Sequence, residues 1–307
     1  MAHVQSTVAG VQRPLLSDLD YLSTGKRARL HRLLYQFGPG NGTAMFLPID
    51  QGLEHGPVDF FPNPESSDPD FQLRLAIAGG FNGIVLQVGL AEKYYRRYAG
   101  QVPLILKLNG KTNIPADTAP LSPLTSSVEV AVRLGADAVG YTLYVGSPAQ
   151  GDDFRQFTAV REAADRAGLP VIVWAYPRGE FTLARGGNDS PYNVEYAARV
   201  ACELGADVVK VNLPQVDAAS RAGVPQPYAS LEMTVEQAVR RVVQAAGRTM
   251  VLFSGGSSLS ETDVTAKARL VMENGATGLI FGRNVWQRRW DDALQLGQAL
   301  KCLLLHF

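Results

Sequence analysis

The sequence has few cysteines, no excess charge of either sign and no long hydrophobic run. Its 307 residues include only Cys202 and Cys302, which lie far apart in helix-like stretches. This spacing argues against a disulfide framework or a cysteine-based zinc site, and it favours a reducing compartment. Because 29 basic residues balance 29 acidic ones, no basic field is available for a nucleic acid or an anionic membrane.

Membrane and metal signals are also missing. No run of about 18 apolar residues is present, and the first residues, MAHVQSTVAGVQRP, lack the apolar core of a secretion signal, so we expect a cytoplasmic protein. The histidines are His3, His31, His55 and His306, and none of them forms an H-x-H or H-E-x-x-H motif. We therefore expect no metal and no other cofactor. For His55, a contact with substrate and a structural hydrogen bond are both open.

Glycine is abundant, with 30 residues, and its placement is regular. An amphipathic stretch, a glycine and then a β-branched run recur around Gly80, Gly135, Gly168, Gly205 and Gly275. Helices often end at a glycine in the left-handed conformation, so this repeat indicates helices alternating with strands. Such alternation predicts a parallel sheet built from right-handed crossovers.

Eight strands and the helices between them follow from this reading. The predicted strands are residues 45–50, 83–89, 103–109, 138–145, 170–176, 207–213, 249–254 and 278–282. The predicted helices include residues 153–167, 193–204, 234–246, 261–274 and 290–305. Eight such units match an α/β fold of the (β/α)8 TIM-barrel type, which typically needs about 250 residues. A doubly wound sheet is the weaker alternative, because PIDQGLEHGP after the first strand is not a G-x-G-x-x-G turn.

One domain is predicted overall, since no polar linker divides the chain. Residues 1–44 are expected to form an N-terminal helical extension, with short helices at 15–22 and 27–35 that close the bottom of the barrel. Residues 45–307 are expected to form the catalytic barrel. The loops at 57–69 and 178–192 would lie at the C-terminal face, where barrels carry their chemistry.

Polar side chains on alternate positions of the strands are expected to point into the barrel near its top. They are Asp50 on strand one, Lys107 and Lys111 on strand three, Trp174, Tyr176 and Arg178 on strand five, and Lys210 on strand six. A lysine within VVKVN is either part of a buried ion pair or a desolvated amine able to attack a carbonyl. Lys107 competes for that second role, although the polar LNGK segment around it suggests anion binding.

Small residues follow strands seven and eight, in the strings SGGSS and GRN. The loops after these two strands are the usual phosphate site of a TIM barrel. Backbone N–H groups of glycine-rich turns approach an anion closely, and an arginine adds charge-assisted hydrogen bonds. The predicted phosphate-binding residues are Ser254, Gly255, Gly256, Gly282 and Arg283. SGGSS taken alone is equally compatible with a plain turn.

Six motifs, in order and in spacing, resemble the archaeal-type class I fructose-1,6-bisphosphate aldolases. They are FLPIDQGLEHGP, ILKLNGKT, VWAYPRG, ADVVKVN, LFSGGSS and IFGRNVWQR, and they extend over residues 45–288. The resemblance implies that Lys210 forms a Schiff base, Tyr176 transfers protons and Asp50 engages the substrate hydroxyls. It also places Trp174 and Arg178 in the active site and supports the phosphate-binding set named above.

The implied reaction is reversible cleavage of fructose 1,6-bisphosphate to dihydroxyacetone phosphate and glyceraldehyde 3-phosphate, in glycolysis and gluconeogenesis. We expect Lys107 and Lys111 to bind the second phosphate and His55 to contact substrate. The partner is thus a small phosphorylated sugar, and the family implies a homo-oligomer, with a decamer as one candidate.

Two positions depart from the family pattern. Gln51 stands where many members have histidine, and VNLP follows Lys210 where many have an aromatic-containing segment, which leaves fine substrate preference open. One alternative is a related lysine-dependent aldolase or thiolase acting on another phosphorylated ketose, similar to an aminodeoxyheptulosonate synthase or an autoinducer-processing thiolase. The other is a non-catalytic barrel that binds sugar phosphates.

Overall fold

A closed barrel of eight parallel strands, following one another around it in chain order, forms the core of the protein. The computed structural model describes residues 12–256 and 260–307. The strands are β1 Ala44–Pro48, β2 Gly83–Gln87, β3 Leu104–Lys107, β4 Ala138–Val145, β5 Val171–Pro177, β6 Val208–Val211, β7 Met250–Ser254 and β8 Gly278–Ile280. The predicted (β/α)8 barrel is confirmed.

Helices surround the barrel and connect its strands. They are α1 Thr24–His31, α2 Gln51–Glu54, α3 Pro69–Ala78, α4 Val88–Tyr94, α5 Val128–Arg133, α6 Gln150–Ala167, α7 Glu180–Leu183, α8 Pro191–Glu203, α9 Val235–Ala246, α10 Glu261–Glu273, α11 Arg283–Trp286 and α12 Trp290–Leu304. Cys202 on α8 and Cys302 on α12 are free thiols. Among the described residues, no helix is long and apolar enough to cross a membrane.

Two hydrophobic layers explain why the strands are apolar on both faces. On β6, Val209 and Val211 belong to the layer between the strands and the outer helices, whereas Val208 belongs to the layer inside the barrel. Successive side chains of a strand point to opposite faces. Lys210 therefore continues the inner face begun by Val208, one step nearer the C-terminal end of the barrel.

The N-terminal segment covers the bottom of the barrel, as predicted. Leu19, Leu30 and Leu33 pack against the first inward residues of the strands, and Lys26 Nζ lies 2.8 Å from Asp207 Oδ2. The predicted helix at 15–22 is wrong in extent, because only a 3₁₀ turn at Leu16–Asp18 forms there. The Asp18 carboxylate accepts the Leu15 N–H at 2.9 Å and closes this single turn. The division into residues 1–44 and 45–307 stays a prediction.

Five strands, β1, β2, β3, β6 and β8, end earlier than predicted, and the differences at β1 and β6 shape the site. Strand β1 ends at Pro48 and β6 ends at Val211, so Asp50 and Asn212 lie beyond the sheet. Asp50 instead occupies the N-cap position of α2. These residues therefore lie on the rim of the barrel, where connections to the helices begin.

Candidate active site

A cavity of about 210 Å³ opens at the C-terminal end of the barrel. The predicted site residues that line it are Asp50, His55, Lys111, Tyr176, Arg178, Lys210, Ser254, Gly255, Gly256, Gly282 and Arg283. Lys107 and Trp174 are not part of this lining. Ser257 and Ser258, the end of the predicted SGGSS turn, lie outside the described residues.

Lys210 projects from the middle of β6 into the floor of the cavity, and its side chain is 6% exposed. Its Nζ is hydrogen-bonded to Tyr176 Oη on the neighbouring strand β5. Burial lowers the pKa of Lys210 to about 8, and this effect outweighs the opposing attraction of Asp50 and Glu54. At pH 7 about a tenth of the amine is therefore neutral, and this fraction can act as the nucleophile.

Lys107 lies on the same inner surface, and its pKa is shifted in the opposite direction. Its side chain is fully buried, and its Nζ donates to Asp50 Oδ2 and Glu54 Oε1, both at 3.1 Å. Burial by itself would lower the pKa of Lys107, but the two carboxylates outweigh it and raise the pKa above its usual range. The ion pair that was one reading of Lys210 is thus found at Lys107. Its ammonium is enclosed by carboxylates, and it does not reach the cavity to meet a phosphate in this structure.

The pKa values of Tyr176 and Asp50, which lie next to Lys210, are also shifted by their surroundings. Burial raises the pKa of Tyr176 well above its ordinary value, and the nearby carboxylates Glu54 and Asp50 add to this rise. Burial would also raise the pKa of Asp50, but the cations Lys107 and Lys210 outweigh it and lower that pKa. At neutral pH the cavity therefore presents a protonated phenol and an ionised carboxylate.

The ring of Trp174 lies beneath the amines of Lys107 and Lys210. Its ring centroid lies 4.9 Å from Lys107 Nζ and 5.5 Å from Lys210 Nζ, and the side chain is fully buried. Its Nε1 has no hydrogen-bond partner within residues 12–256 and 260–307. The predicted contact between Trp174 and substrate is not seen in the cavity lining. The indole instead supports the lysine side chains from below.

The predicted phosphate site forms one wall of the cavity, where β7 and β8 end. Ser254 Oγ donates to Asn212 Oδ1 at 2.6 Å, and Asn212 Nδ2 donates to Asp189 Oδ1 at 2.9 Å. A Cβ at Gly282 would lie 2.7 Å from Pro48 O, so only glycine fits at this strand end. Arg283 faces the cavity beside Gly282, at the first position of α11.

The remaining predicted residues lie on the rim and are paired with carboxylates. Lys111 Nζ is 2.7 Å from Asp117 Oδ1, and Arg178 Nη1 is 3.8 Å from Asp189 Oδ1. His55 Nδ1 lies 2.7 Å from Asp59 Oδ2, which is the structural hydrogen bond that the sequence left open. His55 also lines the cavity, so the two readings of this residue are compatible.

Eight lining residues were not predicted as site residues: Pro48, Gln51, Glu54, Asn113, Asp117, Tyr144, Asn212 and Ile280. Glu54 stands four residues after Asp50 and on the same short helix turn, which was the available signal. Asn212 was visible on the inner face of strand six, two residues after Lys210. Tyr144 pairs in register with Tyr176, but nothing in the YTLYV string distinguishes it from a core tyrosine.

Among the described residues, no group of three or more His, Cys, Asp or Glu side chains is arranged to hold a metal ion. Metal-independent activity stays a prediction.

Comparison with known proteins places this site in a family. Residues 44–288 match the model of the DeoC/LacD family aldolases. A class 1 fructose-bisphosphate aldolase of Thermoproteus tenax is 44% identical over 260 residues, with 84% of this chain and 88% of the relative covered. The corresponding enzyme of Halobacterium salinarum is 39% identical over 254 residues, covering 82% of this chain and 88% of its own length.

Solved structures agree with these relatives. An archaeal fructose-1,6-bisphosphate aldolase, with its catalytic lysine covalently bound to the carbinolamine intermediate, has a TM-score of 0.76 at 40% identity. It covers 90% of this chain and 99% of its own. A fructose-bisphosphate aldolase from Slackia heliotrinireducens has a TM-score of 0.82 at 27% identity and covers 95% of this chain and 92% of its own. This chain belongs to the DeoC/LacD aldolase family, and its predicted resemblance to the archaeal-type class I fructose-bisphosphate aldolases is confirmed.

Proposed function

We propose that this protein is a class I aldolase that reversibly cleaves fructose 1,6-bisphosphate to dihydroxyacetone phosphate and glyceraldehyde 3-phosphate. The observation that carries the proposal is the buried Lys210 amine, whose pKa is lowered to about 8 and whose Nζ contacts Tyr176 Oη inside the cavity. The relatives that cover most of the chain are aldolases of this kind, which supports the same assignment.

The chemistry requires an electron sink at C2 of the sugar. Breaking the C3–C4 bond leaves an electron pair on C3, and a protonated imine at C2 takes up that pair as an enamine. Lys210 supplies the imine nitrogen. Its neutral amine attacks the C2 carbonyl, and water leaves from the carbinolamine that forms.

Proton transfer is assigned to Tyr176. Its raised pKa keeps the phenol protonated, so it donates a proton to the carbinolamine hydroxyl as water leaves. The contact with Lys210 Nζ puts this donor within reach of the reacting centre. Asp50, which is ionised beside Lys107, orients the substrate hydroxyls.

Substrate positioning is assigned to the wall at the ends of β7 and β8. Ser254, Gly255, Gly256, Gly282 and Arg283 would hold one phosphate and so fix C2 against Lys210. Lys111 and Arg178, on the opposite rim, are the candidates for the second phosphate, with His55 nearby. Lys107 is better explained as the counter-ion of Asp50 and Glu54.

Trapping with borohydride tests this proposal. Reduction in the presence of dihydroxyacetone phosphate should add the mass of the reduced substrate to Lys210, and peptide mass spectrometry locates it. Tyr176→Phe should form the adduct more slowly, because dehydration of the carbinolamine loses its acid, and should cleave fructose 1,6-bisphosphate about 10²–10⁴ times more slowly. An adduct on another lysine, or none in an enzyme that cleaves the sugar, contradicts the Lys210 assignment.

A second candidate is a related reaction on another phosphorylated ketose. The observation in its favour is Asn212 beside Lys210, in the VNLP segment that departs from the family pattern. A relative from Methanocaldococcus jannaschii, 31% identical over 274 residues, is a fructose-bisphosphate aldolase and 6-deoxy-5-ketofructose 1-phosphate synthase. Assays on fructose 1,6-bisphosphate, fructose 1-phosphate and other ketose phosphates distinguish these reactions from a barrel that only binds sugars.

Assembly and location are part of the same proposal. We infer a cytoplasmic homo-oligomer, because the resemblance to the class I aldolases implies it. Sedimentation at micromolar concentration measures the subunit number, and a purely monomeric species would contradict the inference.

A further inference from the structure

Lys267 lies on α10 and reaches the turn that follows β7, although it belongs to none of the six sequence motifs. Its Nζ donates to the Gly255 carbonyl oxygen at 3.0 Å, and a Cβ at Gly256 would lie 3.5 Å from this nitrogen. Gly255 and Gly256 line the cavity, whereas Lys267 does not. The ammonium therefore contacts the turn from the side of the helix, behind the predicted phosphate site.

The carbonyl that Lys267 holds sets the direction of the neighbouring N–H group. The Gly255–Gly256 peptide is trans, so it is planar and its C=O and N–H bonds point in opposite directions. Because the Gly255 carbonyl is turned toward α10, the Gly256 N–H is turned away from that helix, toward the cavity. Gly256 has a φ of +75°, a left-handed conformation that suits glycine. A backbone N–H aimed into a cavity from such a turn can bind a phosphate oxygen.

Among the described residues, the Lys267 ammonium has no carboxylate at ion-pair distance. Burial of the side chain lowers its pKa, and the attraction of Asp189 opposes this only in part. Asp189 Oδ1 already accepts a hydrogen bond from Asn212 at 2.9 Å and lies 3.8 Å from Arg178 Nη1. A buried lysine is normally paired with a negative charge. A phosphate bound at the turn would supply that charge and favour the ammonium.

We propose that Lys267 is a positioning residue of the phosphate site, which fixes the Gly255–Gly256 peptide and places a positive charge behind it. The inference rests on the proposed function and deepens it with a residue that lies outside the cavity lining. The ligand is the phosphate group of a ketose phosphate, which is largely a dianion near neutral pH. This group contacts the Gly256 N–H, while Lys267 acts on it through the peptide and through its charge.

A tether between α10 and the end of β7 is the structural alternative. The same hydrogen bond would then only hold the helix in place, and its loss would affect every substrate equally. A role at the phosphate site instead predicts a loss confined to ligands that carry a phosphate. Dihydroxyacetone and dihydroxyacetone phosphate form the same imine with Lys210 and differ only in that group, so they separate the two explanations.

Lys267→Met tests the proposal, because it removes the charge and the donor but keeps a side chain of similar length. Binding of inorganic phosphate and of dihydroxyacetone phosphate, measured by calorimetry, should weaken by about tenfold, as for loss of one hydrogen bond from a charged group. The KM for fructose 1,6-bisphosphate should rise by a similar factor, with a smaller effect on kcat. Borohydride trapping of dihydroxyacetone should keep the wild-type rate.

Two further variants complete the design. Lys267→Arg keeps the charge and a donor for the Gly255 carbonyl, and it should recover most of the phosphate affinity. Arg269→Met removes an exposed cation from the same helix and should leave every measurement unchanged. Wild-type phosphate affinity in Lys267→Met, or an equal loss of trapping with dihydroxyacetone and its phosphate, overturns the proposal. A wild-type protein that forms no imine would refute the proposed function, while phosphate calorimetry would still test Lys267.

Discussion

Two lysines on the inner face of one barrel have pKa values shifted in opposite directions because their neighbours differ. Lys107 Nζ donates to the carboxylates of Asp50 and Glu54. Lys210 Nζ instead contacts the hydroxyl of Tyr176 and lies over the ring of Trp174. Burial opposes the charge of both amines, and only Lys107 has enough negative charge in contact to overcome it. A lysine with a lowered pKa can be a nucleophile, whereas a fully paired lysine contributes a fixed positive charge.

Lys107→Met tests whether the charge of Lys107 influences the pKa of Lys210. Lys107 lowers the pKa of Lys210, while Asp50 and Glu54 raise it, so removal of the Lys107 charge should move the Lys210 pKa above about 8. A shift of one unit leaves about tenfold less neutral amine at pH 7. The rate of borohydride inactivation with dihydroxyacetone phosphate, measured from pH 6 to 10, should therefore have a higher midpoint in the variant.

The control for this experiment is Lys93→Met, which removes an exposed lysine on α4. Its midpoint should match that of the wild type. An unchanged midpoint in Lys107→Met would mean that Lys107 does not influence the protonation of Lys210.

At the scale of secondary-structure elements, the barrel closes through a contact that leaves no room for a side chain. In the register of β1 and β8, Gly278 lies opposite Ala44. A Cβ at Gly278 would lie 2.0 Å from Ala44 O, so the strands could not keep their spacing. The same closure brings the start of α11, with Arg283, beside the end of β1.

Gly278→Ala should therefore destabilise the protein by more than about 2 kcal/mol, the range of severe overpacking. Urea unfolding, followed by circular dichroism, measures the free energy of unfolding. The matched variant Gly89→Ala places its Cβ on α4 with nothing within 4 Å, and it should be neutral or slightly stabilising. Equal stability of Gly278→Ala and the wild type would show that β8 can move away from β1.

At the scale of the whole molecule, the candidate nucleophile lowers the stability of the fold. The pKa of Lys210 is about 8 in the folded protein and about 10.5 for a free side chain. Below pH 8 both states bind the proton, so the folded state carries the full cost of a buried charge. Between pH 8 and 10.5 the unfolded state binds more protons, and stability rises with pH.

Lys210→Met should accordingly be more stable than the wild type at pH 7, by at most about 3 kcal/mol. The difference should shrink as the pH approaches 10, because the wild type then loses the buried charge. Urea unfolding of both proteins at pH 7 and at pH 10 measures this change, with Lys93→Met as the variant expected to show none. A wild type that is the more stable protein at pH 7 would contradict the desolvation argument.

Much of the architecture could be predicted from local sequence patterns. Helix stops such as Gly135, Gly168 and Gly205 and the β-branched runs after them predicted all eight strands in their chain order. Strand β4 has the predicted bounds, while β1 and β6 end earlier. The difference arises because strand ends depend on pairing with a neighbour, and Pro48 and Val211 are the last residues of their strands.

The sequence by itself determined the barrel, the position of Lys210 within a buried strand and the glycine-rich ends of β7 and β8. These features follow from periodicity and from spacing along the chain. The tertiary structure alone decided which lysine has the lowered pKa and which carboxylate is open to the cavity. Asp50 and Glu54 reach Lys107 across 57 and 53 residues of sequence, and the distances that set their charges exist only after the barrel has closed.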